Sequence, residues 1–120
     1  MTTDNFEVRD FAKPDQVLGD GSHGRLEMIR IAGHDVGRVV LEPGWNFTED
    51  VKPFVGTDLC EVVHFGYQIS GTVRFRMADG AEFDVTPGQV MSVPAGHDAW
   101  VVGDETAVAV DWGGWQSANT

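Results

Sequence analysis

The sequence predicts an all-β fold, a sandwich or barrel of short strands. Three observations carry this reading. Apolar and polar residues alternate over short runs, glycine and proline break those runs at roughly ten-residue spacing, and no segment sustains a helical period. Fifteen glycines and five prolines supply the many turns that such a fold needs.

The elements follow in order. Residues 25–31 and 37–41 are β-rich runs separated by Gly33-His34-Asp35, and Glu42-Pro43-Gly44 closes the second. From 72 to 77, Val73, Phe75 and Met77 share one face while Thr72, Arg74 and Arg76 share the other. Phe83 and Val85 alternate with Glu82 and Asp84, and Asp79-Gly80 lies between the two runs, so 72–86 reads as a hairpin. Arg74 and Arg76 are then expected opposite Glu82 and Asp84. Pro87-Gly88 precedes a strand over 89–93, and Pro94-Ala95-Gly96 ends it. Two last strands, 100–102 and 107–112, flank Gly103-Asp104. Segment 10–22, with Pro14 and Gly19-Asp20-Gly21, reads either as one helical turn or as an arm laid across a partner subunit. Residues 1–5 and 116–120 are expected to fray, and Trp112-Gly113-Gly114-Trp115 to turn over a barrel end or a neighbour.

A chain of 120 residues suits one domain, with 42% hydrophobic residues to fill its core. Nineteen acidic residues against eight basic ones give a net charge of −11, which repels phosphate backbones and anionic lipid. Nucleic acid and membrane are therefore excluded as partners. No apolar run is long enough to span a bilayer, and MTTDNFEVRD has neither the basic start nor the apolar stretch of a secretory signal. A cytoplasmic location is expected. The single cysteine, Cys60, excludes an internal disulfide and a cysteine-only zinc site.

Residues 62–71 are the most informative stretch. Val63, Phe65, Tyr67 and Ile69 share one face; His64, Gly66, Gln68 and Ser70 share the other. A half-buried strand with its polar face in water explains this pattern without any function. Alternatively, the apolar face meets a second sheet or subunit and the polar face lines a barrel lumen, where His, Gly and Gln would give space and hydrogen-bonding groups.

Two motifs carry a resemblance that bears on this choice. Gly88, five residues, then Pro94-Ala95-Gly96 stand in order after a strand that ends at Gly71, seven residues beyond His64, with the Asp79-Gly80 hairpin between them. Upstream lie Pro43-Gly44 and Asp50-Val51-Lys52-Pro53. Over about residues 36–112 the chain resembles a small single-domain cupin, with 1–24 as an N-terminal arm. The resemblance implies a conical β-barrel of the jelly-roll (double-stranded β-helix) type that binds a small molecule inside, often as a homodimer. It also implies a metal site built from two His and a Glu of the first motif and a His after the second. Here Asp50 and Lys52 occupy the places of the two His, His64 that of the Glu, and Ala99 that of the last His, with His97 nearby.

Two arrangements remain open. One divalent metal could be held by an unusual shell drawn from His64, His97, Cys60, Glu49 and Asp50. Imidazole with carboxylate suits Fe, Mn, Ni or Zn, and a thiolate favours Zn. On a continuous strand Cys60 and His64 would stand about 13 Å apart, so a bend at Glu61 would be required. Without metal, His64 and His97 would act as an acid–base pair, with Lys52 recognising an anionic group. Either way His64 and His97 are the candidate catalytic residues. Gln68 would hold a polar substrate group, and Trp45, Tyr67 and Trp100 would wall the pocket.

Each residue has a plainer explanation. His64 can be a structural strand histidine, and His97 a turn residue with Asp98 fixing its ring. Cys60 can be a small buried hydrophobe, and the aromatics can be core. His23 and His34 read as exposed. Three functions compete: a cupin enzyme of the oxygenase, isomerase or lyase kind acting on an oxygenated or carboxylated organic substrate; a non-catalytic ligand-sensing cupin without metal; and a structural module using its acidic surface.

Overall fold

A computed structural model describes residues 5–19 and 23–112. The expected turn through Gly113-Gly114-Trp115 and the frayed ends, save Asn5, lie outside the described residues, as do Asp20 and Gly21. Among the described residues, nine strands form two antiparallel sheets. Strands β1 (Gln16–Leu18), β2 (Gly24–Ile31), β3 (His34–Leu41), β9 (Ala107–Asp111), β4 (His64–Ser70) and β7 (Val90–Val93) make one sheet in that spatial order. Strands β6 (Glu82–Val85), β5 (Thr72–Met77) and β8 (His97–Val102) make the other. Their inward faces enclose one core of Val73, Phe75, Val85, Met91, Val93, Ala99, Val101, Ala107 and Ala109.

The alternation read from the sequence is the alternation observed. Val73 and Phe75 are buried, whereas Arg74 points outward to a two-bond pair with Asp84, at 2.7 and 3.0 Å. Arg76 lies 4.0 Å from Glu82. The described part of segment 10–22 carries a strand that neither expectation named, β1, which pairs along β2 from Gln16↔Met28 to Leu18↔Leu26. Three residues are too few to show a period, and Asp15, bonded to Arg9 and the Arg30 amide, anchors this stretch to the sheet.

Two glycines mark where strands approach too closely for a side chain. A Cβ on Gly66 would stand 2.3 Å from the Val110 carbonyl oxygen, and one on Gly71 would stand 2.5 Å from Ala107 Cα. Gly71 also has φ of 67°, in the left-handed region. Both lie beside β9 and let β4 pack closely against it.

Between β3 and β4 the chain forms two four-residue helices, α1 (Phe47–Asp50) and α2 (Lys52–Val55), too short to show a helical period in sequence. Asn46 caps α1 by accepting from the Glu49 amide at 2.8 Å, and its Nδ2 donates to Glu49 Oε2 at 2.7 Å. Phe47 anchors α1 in the interior. No helix among the described residues is long and apolar enough to cross a membrane.

Candidate functional site

A cavity of about 280 Å³ opens between the two sheets. Leu41, Trp45, Val73, Phe75 and Met91 form much of its wall. Strand β4 turns its polar residues towards it. Gly66 and Gln68 are buried, while Phe65, Tyr67 and Ile69 on the other face are 45%, 41% and 48% exposed. The polar face is thus the lumen face, and the apolar face is the outer one.

At one end of the cavity, Cys60, His64 and His97 converge. One ligand atom from each lies within 4.8 Å of the others. Among the described residues, no other group of three or more His, Cys, Asp or Glu side chains converges in this way. Three elements position them. His64 opens β4, and His97 opens β8 with only 1% of its surface exposed. Cys60 sits outside any strand, in an isolated bridge to His97: its amide donates to the His97 carbonyl at 2.7 Å, and its carbonyl accepts from Gly96 and His97 amides at 2.8 and 3.2 Å. Because β4 begins only at His64, residues 61–63 between it and the Cys60 bridge lie in no strand. Cys60 Sγ then comes within 4.0 Å of His64 Nε2.

Both imidazoles are oriented from behind. His64 Nδ1 donates to Asp111 Oδ2 at 2.6 Å, and His97 Nδ1 donates to the Pro94 carbonyl at 2.8 Å. The Pro94 carbonyl, not Asp98, fixes the His97 ring; Asp98 accepts from the Ala99 amide instead. Each ring therefore keeps Nε2 for the cavity, the arrangement that fixes the tautomer of a metal-binding or proton-transferring histidine. Asp111 itself is 3% exposed.

The electrostatics of the cluster are unusual. Burial pushes the Cys60 thiol up, but hydrogen bonds from His64, His97 and the Val62 amide, with the His64 charge, outweigh it and bring the thiol down to about 6. Burial disfavours the His64 imidazolium, yet its bonds to Asp111 and Cys60 and their charges raise it to about 9. Without metal, both shifts favour a thiolate beside an imidazolium.

Of the residues singled out in the sequence, the structure brings His64, His97, Cys60, Gln68, Trp45 and Asp50 to the cavity wall. Asp50 stays outside the ligand cluster, its oxygens engaged by the Asn46 amide at 3.0 Å and His23 Nδ1 at 3.1 Å. Glu49 is exposed and bonded to Asn46 as part of the α1 cap, so it is not near Cys60. Lys52 begins α2 and pairs with exposed Asp58 at 2.9 Å, away from the cavity. Tyr67 lies on the outer face of β4. Trp100 lies on the outer face of β8, because His97, Ala99 and Val101 take the inward positions. His23 and His34 are exposed, as expected.

Sequence reasoning gave Asp111 no role. Its signal was present: a carboxylate in register with Ala107 and Ala109, on the buried face of a strand.

The architecture matches solved structures across much of the chain. Ectoine synthase from P. lautus aligns with a TM-score of 0.61 at 12% identity, covering 95% of this chain and 85% of that one. The polyketide cyclase RemF from Streptomyces resistomycificus aligns at 0.58 and 13% identity, covering 89% and 79%. A cupin-like protein from Thermotoga maritima aligns at 0.50 and 16% identity, covering 73% and 65%. The chain has the cupin fold. These identities establish the cupin barrel and no more, since this fold carries many chemistries. No protein-family profile matches the chain, and no curated protein matches it significantly. In this barrel, Ala99 is buried in the cavity wall where the resemblance expects the last histidine, and His97 stands two residues earlier on the same face of β8. An imidazole thus faces the lumen two residues before that position.

Proposed function

We propose that this cupin is a metal-dependent enzyme acting on a small organic substrate inside its barrel, with Cys60, His64 and His97 as the metal ligands. One observation carries this reading: three good donor atoms gather within 4.8 Å at the end of an apolar cavity, with the second nitrogen of each histidine already engaged. The donor chemistry fits. A thiolate and two imidazoles form a three-ligand set that suits zinc and leaves a position for substrate. When bound, the ion supplies Lewis acidity towards a substrate oxygen.

The chain's own residues do the rest. Asp111 and the Pro94 carbonyl hold the two rings with Nε2 presented. Trp45, Phe75 and Met91 bind the apolar body of the substrate and exclude water, which strengthens each polar contact inside. A cluster of this donor type favours non-redox chemistry of the isomerase or lyase kind over an oxygenase. The outward stripe of Phe65, Tyr67 and Ile69 supports pairing with a second copy of the chain.

A second reading rests on a different observation. Cys60, His64 and Asp111 form a row of nucleophile, base and orienting carboxylate, which without metal is the arrangement of an activated thiol.

Metal analysis by inductively coupled plasma mass spectrometry on untagged, chelator-free protein separates the two. The expected result is close to one zinc per chain in the native protein and little in His64→Ala and His97→Ala. Metal-free protein after fair reconstitution with Zn, Fe, Mn and Ni would reject the metal reading and leave the thiol row. Saturable ligand binding with zinc but without turnover would make the protein a binding cupin.

A further inference from the structure

Among the described residues, the cavity wall has two carboxylates, Asp50 and Asp111, and one Lys or Arg, Arg25. Arg25 is not offered to the lumen. It stands on β2 between Gly24 and Leu26, which line the cavity, and opposite Val40, which does not. Its guanidinium is held at 2.6 Å by buried Glu27, which also takes Arg38 at 2.6 Å. Lys52 is turned away to Asp58. The rest of the wall is mainly apolar, with Val39, Leu41, Phe75 and Met91 among its members.

The cluster itself is balanced before any ligand arrives. A cysteine on zinc is a thiolate, and the two histidines coordinate as neutral rings. The divalent ion then keeps one positive charge. Asp111 cancels it from behind His64. Both its oxygens accept hydrogen bonds, from His64 Nδ1 at 2.6 Å and from the Phe65 amide at 3.3 Å, as an ionised carboxylate does. Without the ion the balance is lower still, because a proton on His64 offsets only one of the two anions, Cys60 and Asp111. A ligand with its own negative charge therefore adds an unpaired charge to an apolar enclosure, which is costly. A neutral oxygen with a free lone pair fills the open position without that cost.

We propose that the lumen selects an uncharged, mainly apolar molecule that presents a carbonyl or hydroxyl oxygen to the Cys60, His64 and His97 cluster, and discriminates against a carboxylate of the same shape. The proposal rests on the lumen being the binding site and deepens that reading on the substrate side. It holds with the ion or without it, since neither state leaves surplus positive charge. Of the oxygenated and carboxylated substrates that the sequence allowed, it assigns the first. The net charge of −11 acts in the same direction, by repelling anions from the whole molecule.

The test pairs ligands that differ in one group. Acetophenone with benzoate, phenylacetone with phenylacetate, and benzalacetone with cinnamate set a methyl ketone against a carboxylate at three lengths. Binding to full-length protein is measured by calorimetry, beside the zinc content of each sample. At the length that fits, the ketone is expected to bind about tenfold or more tightly than its carboxylate. Cys60→His exchanges a thiolate for a neutral ring, and Asp111→Asn removes the balancing carboxylate, so each adds one positive charge. In either variant the ratio should move about tenfold towards the carboxylate. A carboxylate that binds native protein as tightly as its ketone at every length overturns the proposal. So does failure of every compound to bind, and in both cases the zinc content judges the metal reading separately. A ratio that stays fixed in both variants overturns it too, because the preference then owes nothing to the charge of the cluster. If native protein holds no zinc, the metal reading fails, and the ketone-to-carboxylate comparison on metal-free protein still decides the proposal. Should one variant fail to fold, the other carries the comparison, and should both fail, the native pairs decide alone.

Discussion

Strands β4 and β5 follow one another through Gly71, belong to different sheets of one barrel, and carry opposite patterns. On β5 the inward residues are Val73 and Phe75, and the outward ones are arginines answered by Asp84 and Glu82. On β4 the inward residues are His64, Gly66 and Gln68, and the outward ones are Phe65, Tyr67 and Ile69. Strand β5 is built as stability dictates, with oil inside and charge in water. Strand β4 reverses the arrangement. It places polar groups where desolvation is costly, and apolar ones where water meets them. The difference marks the lumen side that the proposed substrate would meet and the outer side that a second copy, as proposed, would cover.

That contrast can be broken first at Gly66. The inward row of β4 has a position where nothing larger than hydrogen fits, since a Cβ meets the Val110 carbonyl at 2.3 Å. Gly66→Ala should destabilise the fold by about 3 kcal/mol, because backbone rather than a yielding side chain must move. Thermal unfolding by circular dichroism checks this. A variant as stable as the native chain would mean that β4 and β9 are not held so closely.

The second prediction sharpens the polar row. In metal-free protein, alkylation of Cys60 by iodoacetamide should reach half its maximal rate near pH 6 instead of near 9. Since the His64 proton is part of what lowers the thiol, His64→Ala should move that midpoint upward. A midpoint near 9 in the native protein would remove the thiolate–imidazolium pair.

The outer row yields the third. If a second copy covers Phe65, Tyr67 and Ile69, Ile69→Lys should halve the mass seen by sedimentation velocity and leave zinc content unchanged. A monomeric native protein would refute the dimer. Equal masses for a dimeric native chain and the variant would place the contact elsewhere.

Much of this was legible in the residues because a strand's period is two, and spacing survives folding. The hairpin over 72–86, the Gly88 to Gly96 motif and the two-faced 62–71 run needed only that. Period two does not say which face goes in. Trp100 is larger than Ala99 and Val101, and size suggested a pocket wall. The buried His97 on the same strand decides otherwise, since it sends 99 and 101 inward and 100 out. Glu49 and Lys52 were misleading for another reason. Their donors are consumed locally, by a helix cap and by Asp58, and no alternation pattern reveals a four-residue helix. Asp111 was missed because its partner, His64, lies 47 residues away, and only the β4–β9 pairing makes them neighbours.

The bridge at Cys60 has one more consequence. Three main-chain hydrogen bonds to Gly96 and His97 hold that position, and none involves the sulfur. The location of the donor is therefore independent of its identity. A carboxylate or an imidazole at residue 60 would stand on the same backbone, before the same two histidines, and only the softness of the site would change. If the cluster holds a metal as proposed, position 60 would work as a socket, through which a barrel of this kind could exchange one preferred ion for another by a single replacement while its walls stay as they are.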